Sequence, residues 1–137
     1  ILNRQGRLSY EEYEAVKTHT ILGARMLEGL ENYKNERLIK IAIEICRWHH
    51  ERYDGRGYPD GLVGDEIPIS AQVVSIADVY DALVGKRSYK KEKTHEQAVK
   101  MILSGECGNF NPLLLECFKE IESGLTAALA DDGSIKE

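Results

Sequence analysis

The 137-residue sequence predicts an all-α fold, and three observations carry that prediction. Apolar residues recur three and four positions apart in successive segments. Helix-start signatures stand before several of these segments. Ser9-Tyr10-Glu11-Glu12 and Thr94-His95-Glu96-Gln97 are capping boxes, and Asn111-Pro112 pairs a cap with a proline suited to a first turn. No stretch alternates apolar and polar residues as a half-buried strand would.

Residues 1–8 carry Asn, Gly and basic side chains and read as a loop. From Ser9 a helix runs to a stop at Gly29, with Tyr13, Val16, Thr20, Gly23, Leu27 and Leu30 at helical spacing. His19 sits beside that stripe and admits three readings: a packed core histidine, a surface residue or a ligand. After a polar connection at 32–35, a second helix covers about 36–52. Leu38, Ile39, Ile41, Ala42, Ile43, Ile45, Cys46 and Trp48 make it apolar almost all round, which predicts a place at the centre of the fold. It delivers His49 and His50 from its buried end.

Residues 53–68 change in composition to Gly, Pro and Asp, with Gly55, Gly57, Gly61 and Gly64 among them. A loop of that length in a compact domain is usually functional or disordered. Tyr58 and Pro59 beside Gly57 favour an ordered loop that faces a ligand. A third helix follows over about 70–84, strongly apolar, with Asp78 in its middle. Such an aspartate is expected to be paired, hydrogen-bonded or metal-bound, because burying a lone carboxylate costs several kcal/mol. Asp81, at i+3, lies along the same face. A structural ion pair with Arg or Lys is the alternative to metal.

The run at 85–93 holds Lys86, Arg87, Lys90, Lys91 and Lys93 around Tyr89. It reads either as a solvated turn or as a clamp on phosphate oxygens, with Arg87 supplying a bidentate fork. Thr94 starts a helix to about Ser104, which places His95 in an exposed first turn and discounts it as a ligand. Asn111-Pro112 opens the last helix, Leu113 to about Ser123, and the tail at 127–137 is expected to fray.

The length is that of one domain with a real core. Apolar residues are 42% and charged residues 30%, which is too apolar for a disordered chain. A net charge of −5 argues against a partner such as DNA or RNA, but not against a small anion bound through metal ions. Cys46, Cys107 and Cys117 lack paired spacing, and Cys46 in its apolar helix reads as a buried thiol. A reducing cytoplasm is therefore the simplest compartment. No apolar run reaches the length of a membrane span. The opening at Ile1, without methionine, suggests a piece of something longer.

His19, His49, His50 and Asp78 thus form a candidate metal set from three helices. Mixed imidazole and carboxylate ligation suits iron, manganese or zinc better than magnesium or calcium. Adjacent residues on a helix point about 100° apart, so His49 and His50 are not expected to share one small ion easily. They serve two neighbouring ions, or one ligates while the other binds substrate. Two metals beside basic residues suggest phosphoester hydrolysis by a metal-activated hydroxide.

At these residues the chain resembles the HD-GYP family of metal-dependent phosphohydrolases, within the HD superfamily. The matching stretches are Lys17-Thr18-His19, His49-His50-Glu51-Arg52-Tyr53-Asp54-Gly55-Arg56-Gly57-Tyr58-Pro59-Asp60-Gly61-Leu62, and Gly64-Asp65-Glu66-Ile67-Pro68. They continue through Ile76-Ala77-Asp78-Val79-Tyr80-Asp81-Ala82-Leu83 and Arg87-Ser88-Tyr89-Lys90. The resemblance implies an HD-domain-like helical bundle, with a long Gly-rich loop between helices, that hydrolyses cyclic di-GMP to pGpG or GMP using two or three iron or manganese ions. It makes His19, His49, His50 and Asp78 metal ligands, with Asp78 also counted as catalytic. It puts Gly57, Tyr58 and Pro59 at the substrate, with Asp81, Arg87 and Lys90 near the nucleotide. It further implies a sensory or receiver domain upstream, and a homodimer is compatible with it.

The sequence departs from the family pattern in one respect that matters. It contains no His-Asp dipeptide, the pair that gives the superfamily its name. That pair is expected upstream of Ile1, which would make 1–126 a portion of the domain lacking its His-Asp helix and inactive alone. Thr20 stands where the family often has proline. Three functions compete: a cyclic di-GMP phosphodiesterase, a degenerate receptor or interaction module that binds without cleaving, and an HD-type hydrolase of another nucleotide.

Overall fold

The structure is a computed structural model that describes residues 9–33, 35–85 and 93–132, without the side chains of 123 and 125–132. Among the described residues it is helical: α1 (Tyr10–Glu28), α2 (Arg37–Trp48), α3 (Ile69–Val84), α4 (His95–Leu103) and α5 (Pro112–Asp132). The loop between α2 and α3 holds a single 3-10 turn, Gly64–Glu66, and an isolated antiparallel bridge between Asp54 and Val63.

Both capping boxes form. The Glu12 amide donates to Ser9 Oγ and the Ser9 amide to the Glu12 carboxylate, at 3.2 and 2.7 Å. Thr94 and Gln97 exchange the equivalent pair at the head of α4. These bonds satisfy amides that a helix start leaves orphaned, so the chain turns where the sequence says it should. α1 stops at Gly29, and α5 begins at Pro112 with Asn111 Oδ1 accepting from the Leu113 amide. α5 runs on to Asp132, past the stop expected near Ser123.

Consecutive helices pack in order, α1 on α2, α2 on α3, α3 on α4 and α4 on α5. The core lies at the α3–α4–α5 end, where Ile76, Tyr80, Leu83, Ala98, Val99, Ile102, Phe110 and Phe118 are buried together. The centre of the fold is therefore not α2, as its composition suggested. No residue of α2 is fully buried, and Leu38 is 75% exposed. α2 meets α1 on one flank and α3 on another, which leaves a third flank outward. Cys46 is accordingly half-buried, set against Gly23 of α1, rather than a core thiol.

α3 corrects the reading of Asp78 in the same way. Ala71, Gln72, Ser75, Ile76, Tyr80 and Leu83 turn inward, whereas Asp78 and Asp81 are exposed. Asp78 stands among apolar neighbours in sequence but on the open flank in space. The desolvation that demanded a partner does not arise there. His95 is corrected in the opposite sense, being half-buried with Nδ1 2.8 Å from the Tyr80 hydroxyl.

Candidate metal centre

α1 and the end of α2 bring three imidazoles together. His19 comes from the middle of α1, His49 caps α2, and His50 begins the turn beyond it. One ligand atom from each lies within 4.8 Å of the other two, the one such group of metal-ligating residues among those described. Because His49 and His50 straddle the helix end, the angular separation expected of helical neighbours does not apply. Their rings lie 4.0 Å apart between centroids and are tilted by 41°. Both face His19, whose ring is 5.4 Å from that of His49 and 5.0 Å from that of His50.

Backbone carbonyls assign two tautomers. His19 Nδ1 lies 2.6 Å from Val16 O, and His49 Nδ1 lies 2.8 Å from Ile45 O. A carbonyl oxygen only accepts, so each Nδ1 carries a proton, and a ring with that single proton presents a bare Nε2. Those two Nε2 atoms face each other at 3.4 Å. Two lone pairs at that distance repel unless a cation lies between them. The donor set therefore fits a divalent metal, with the second nitrogen of each ring held as metal-binding histidines are. Burial, and then the neighbouring His49, His19 and Arg52, lower His50 to about 3. It is therefore neutral and has a lone pair to give at ordinary pH.

The glycine loop is held against this cluster by a carboxylate that sequence reasoning passed over. Glu51 is 2% exposed, and its two oxygens accept from the backbone amides of Asp60, Gly61 and Leu62 at 2.7, 3.0 and 3.1 Å. Three successive N–H groups form an anion cradle, and here the anion is the protein's own. Asp60 then accepts from Arg47 Nε and Nη2 at 2.8 and 2.9 Å and from Trp48 Nε1 at 2.7 Å. The loop is thus tied to α2 through the Asp60 side chain, and to Glu51, just beyond the end of α2, through the Asp60, Gly61 and Leu62 amides. The sequence signal for this was the place of Glu51 in the matching stretch, between the histidine pair and the glycines.

Gly57 explains how Tyr58 reaches its place. A Cβ on Gly57 would overlap the Arg52 nitrogen and the Glu51 Cα, so the loop lies directly on the backbone after the histidine pair. The Tyr58 amide donates to His50 O at 3.3 Å, and the Tyr58 ring stacks 4.8 Å from the His50 ring. Burial raises the Tyr58 hydroxyl to about 12, which keeps it protonated as a donor. Pro59 follows through a cis peptide.

Arg52 ties the histidine turn to the core. Its Nη1 donates to Glu51 O at 2.9 Å and to Ser75 Oγ of α3 at 2.7 Å, and its guanidinium lies 5.3 Å from the Phe110 ring centroid. Asp78 lies outside the three-histidine group, and its negative charge acts in the raising direction on both the Arg52 guanidinium and the Tyr58 hydroxyl. Asp81 is exposed one turn further along α3. Arg87 and Lys90 lie outside the described residues, so the expected phosphate clamp is not part of this geometry.

Comparison with known proteins places this chain in a family. The family model described as HD domain matches residues 1–112. The chain belongs to the HD domain family. This HD domain is 42% identical over 120 residues to a probable cyclic di-GMP phosphodiesterase of Vibrio cholerae, covering 86% of this chain and 27% of that protein. It is 40% identical over 126 residues to a cyclic di-GMP phosphodiesterase of Thermotoga maritima, covering 92% and 33%. It is also 41% identical over 120 residues to a 3'3'-cGAMP-specific phosphodiesterase of Vibrio cholerae, covering 88% and 22%. With its Gly57-Tyr58-Pro59 loop and these relatives, it is an HD-GYP domain. The chain spans about a third or less of the length of each of these three relatives. Among the described residues, no helix is long and apolar enough to cross a membrane.

Proposed function

We propose that this HD-GYP domain belongs to a metal-dependent phosphodiesterase that opens cyclic di-GMP, with His19, His49, His50 and Asp78 contributing to the metal site. The observation that carries this reading is the pair of bare Nε2 atoms 3.4 Å apart, with His50 neutral beside them. Bound divalent ions supply Lewis acidity and lower the pKa of an attacking water. Iron or manganese is the preferred occupant, since imidazoles with a carboxylate suit these metals better than magnesium or calcium.

The chain's own residues then divide the remaining work. Val16 O and Ile45 O hold the His19 and His49 rings in the ligating tautomer. Glu51 and Gly57 hold the loop down, which keeps Tyr58 against His50 as one wall of the site. Tyr58 presents a protonated hydroxyl and an aromatic face to a nucleotide, and Arg52 adds a half-buried positive charge that favours an anion. Asp81, Arg87 and Lys90 complete the nucleotide side in this reading.

The test uses the intact protein, purified anaerobically, with metal content and cyclic di-GMP hydrolysis measured together. Hydrolysis that depends on bound iron or manganese, and loss of both metal and turnover in His50→Ala and Asp78→Ala, is the expected result. A metal-replete protein that leaves cyclic di-GMP intact would refute the substrate. Running 3'3'-cGAMP alongside decides between the two substrates named for the relatives.

A further inference from the structure

Three side chains at the rim of the histidine cluster have no part in the reading above: Tyr13, Glu14 and Lys17, all on α1. Tyr13 is 47% exposed, and its ring stands at 79° to that of Tyr58 with centroids 6.3 Å apart. Two aromatic rings at nearly a right angle make a corner, in which a flat heterocycle stacks on one face and turns its edge to the other. Lys17 Nζ lies 5.3 Å from the Tyr13 centroid and 5.7 Å from the Tyr58 centroid. The same ammonium pairs with Glu14 at 2.6 Å.

An i,i+3 ion pair on a helix surface contributes little by itself. This one is set apart because its ammonium lies over both ring faces, so a base that enters the corner moves the ammonium off the rings to the base's edge, with the acceptor beside it. The corner's other wall, Tyr58, is 4.8 Å from the His50 ring. A phosphate held at the histidines would have Tyr58, and beyond it Tyr13, as the neighbouring aromatic surface for its attached base.

We propose that Tyr13 and Tyr58 form a stacking corner for one purine of a cyclic dinucleotide, and that the Lys17–Glu14 pair selects guanine there. The inference rests on the phosphodiesterase reading and deepens it. Guanine presents the acceptor O6 beside the donors N1–H and N2–H2. The Lys17 ammonium donates to the first, and the Glu14 carboxylate accepts from the others. Adenine presents an amino donor and a bare N1 in those places. The ammonium then meets a donor and the carboxylate meets an acceptor, which leaves both unpaired.

The test measures kcat and KM of the intact protein for cyclic di-GMP, cyclic di-AMP and the base-free ester bis(p-nitrophenyl) phosphate. Wild type is compared with Tyr13→Ala, Tyr13→Phe and Glu14→Gln, with bound metal measured in each. Tyr13→Ala is expected to lower the ratio of kcat/KM for cyclic di-GMP to that for the simple ester by about tenfold, mainly through KM, and Tyr13→Phe to restore it. Glu14→Gln is expected to reduce the preference for cyclic di-GMP over cyclic di-AMP by about tenfold. Ratios that stay put in both variants overturn the subsite.

Should the wild type cleave the simple ester but neither dinucleotide, the cyclic dinucleotide falls as the substrate while the subsite is still open to test. Dissociation constants for the two dinucleotides, from calorimetry, then replace kcat/KM with the same expected ratios. Equal constants in wild type and variants overturn the subsite on their own.

Discussion

His19 and His49 approach each other nitrogen to nitrogen at 3.4 Å, each with its one proton already given to a carbonyl on its own helix. The contact is stable only with positive charge between the rings. A metal that binds there binds the folded chain far better than the unfolded one, so it raises stability by mass action. At a hundredfold excess over its dissociation constant the gain is about 2.7 kcal/mol. Added Mn(II) should raise the midpoint of thermal unfolding, and a chelator should lower it again. His19→Ala and His49→Ala should lose most of that response. A response of wild-type size in both variants would place the metal elsewhere.

Gly57 is the position where the loop has least room. Gly57→Ala forces a Cβ into the Arg52 nitrogen and Glu51 Cα, both backbone atoms that no side-chain rotation clears. The loop must lift, at a cost of about 2–4 kcal/mol of stability. Urea unfolding of the variant should show it. Tyr58 should lose its contact with His50, and cyclic di-GMP turnover should fall with it.

Glu51 is buried and fully used by three amides. Glu51→Gln keeps one oxygen but turns an NH2 toward a backbone N–H, leaving one or more buried donors without an acceptor. Each such group costs about 1–3 kcal/mol. Hydrogen exchange of the Asp60, Gly61 and Leu62 amides should quicken in this variant, more than exchange in α4. Unchanged protection at those three amides would mean that the carboxylate does not hold the loop.

Asp60 gives a pH dependence of known sign. The hydrogen bonds from Arg47 hold its carboxyl below the ordinary value of 3.8, burial opposes them, and Trp48 adds to the lowering. A carboxylate whose folded pKa is depressed stabilises the fold above its unfolded pKa and loses that contribution as pH falls through the folded one. The stability difference between wild type and Asp60→Asn should therefore be level above about pH 5 and shrink as pH drops below the ordinary carboxylate value. A gap that widens with acid would contradict the pairing.

Much of the architecture was legible because helix starts are local chemistry. Ser9, Thr94 and Asn111 cap with groups within three residues of themselves, so their sequence neighbours suffice to place them. The candidate histidines were legible by type and the glycine loop by composition, and the family pattern assigned them roles. Burial was not legible in the same way. α3 is apolar nearly all round, and α2, although Arg37, Lys40, Glu44 and Arg47 mark one polar stripe, carries apolar residues such as Leu38 whose exposure no neighbouring residue signals. Hence Asp78 was expected in a desolvated setting but stands exposed, whereas His95 was expected exposed but meets Tyr80.

The sequence by itself determined that the chain is helical and where its capped helices begin, and it singled out His19, His49, His50 and the Gly57-Tyr58-Pro59 loop as candidates. Those follow from interactions between near neighbours and from residue type. Only the tertiary structure decided that a residue from α1 and two from the end of α2 converge within 4.8 Å, and that Glu51 gathers the loop beneath them. Convergence depends on how α1 lies against α2 and on which amides the loop turns inward. Both are set by packing and by the need to satisfy buried polar groups, over separations that no local pattern spans.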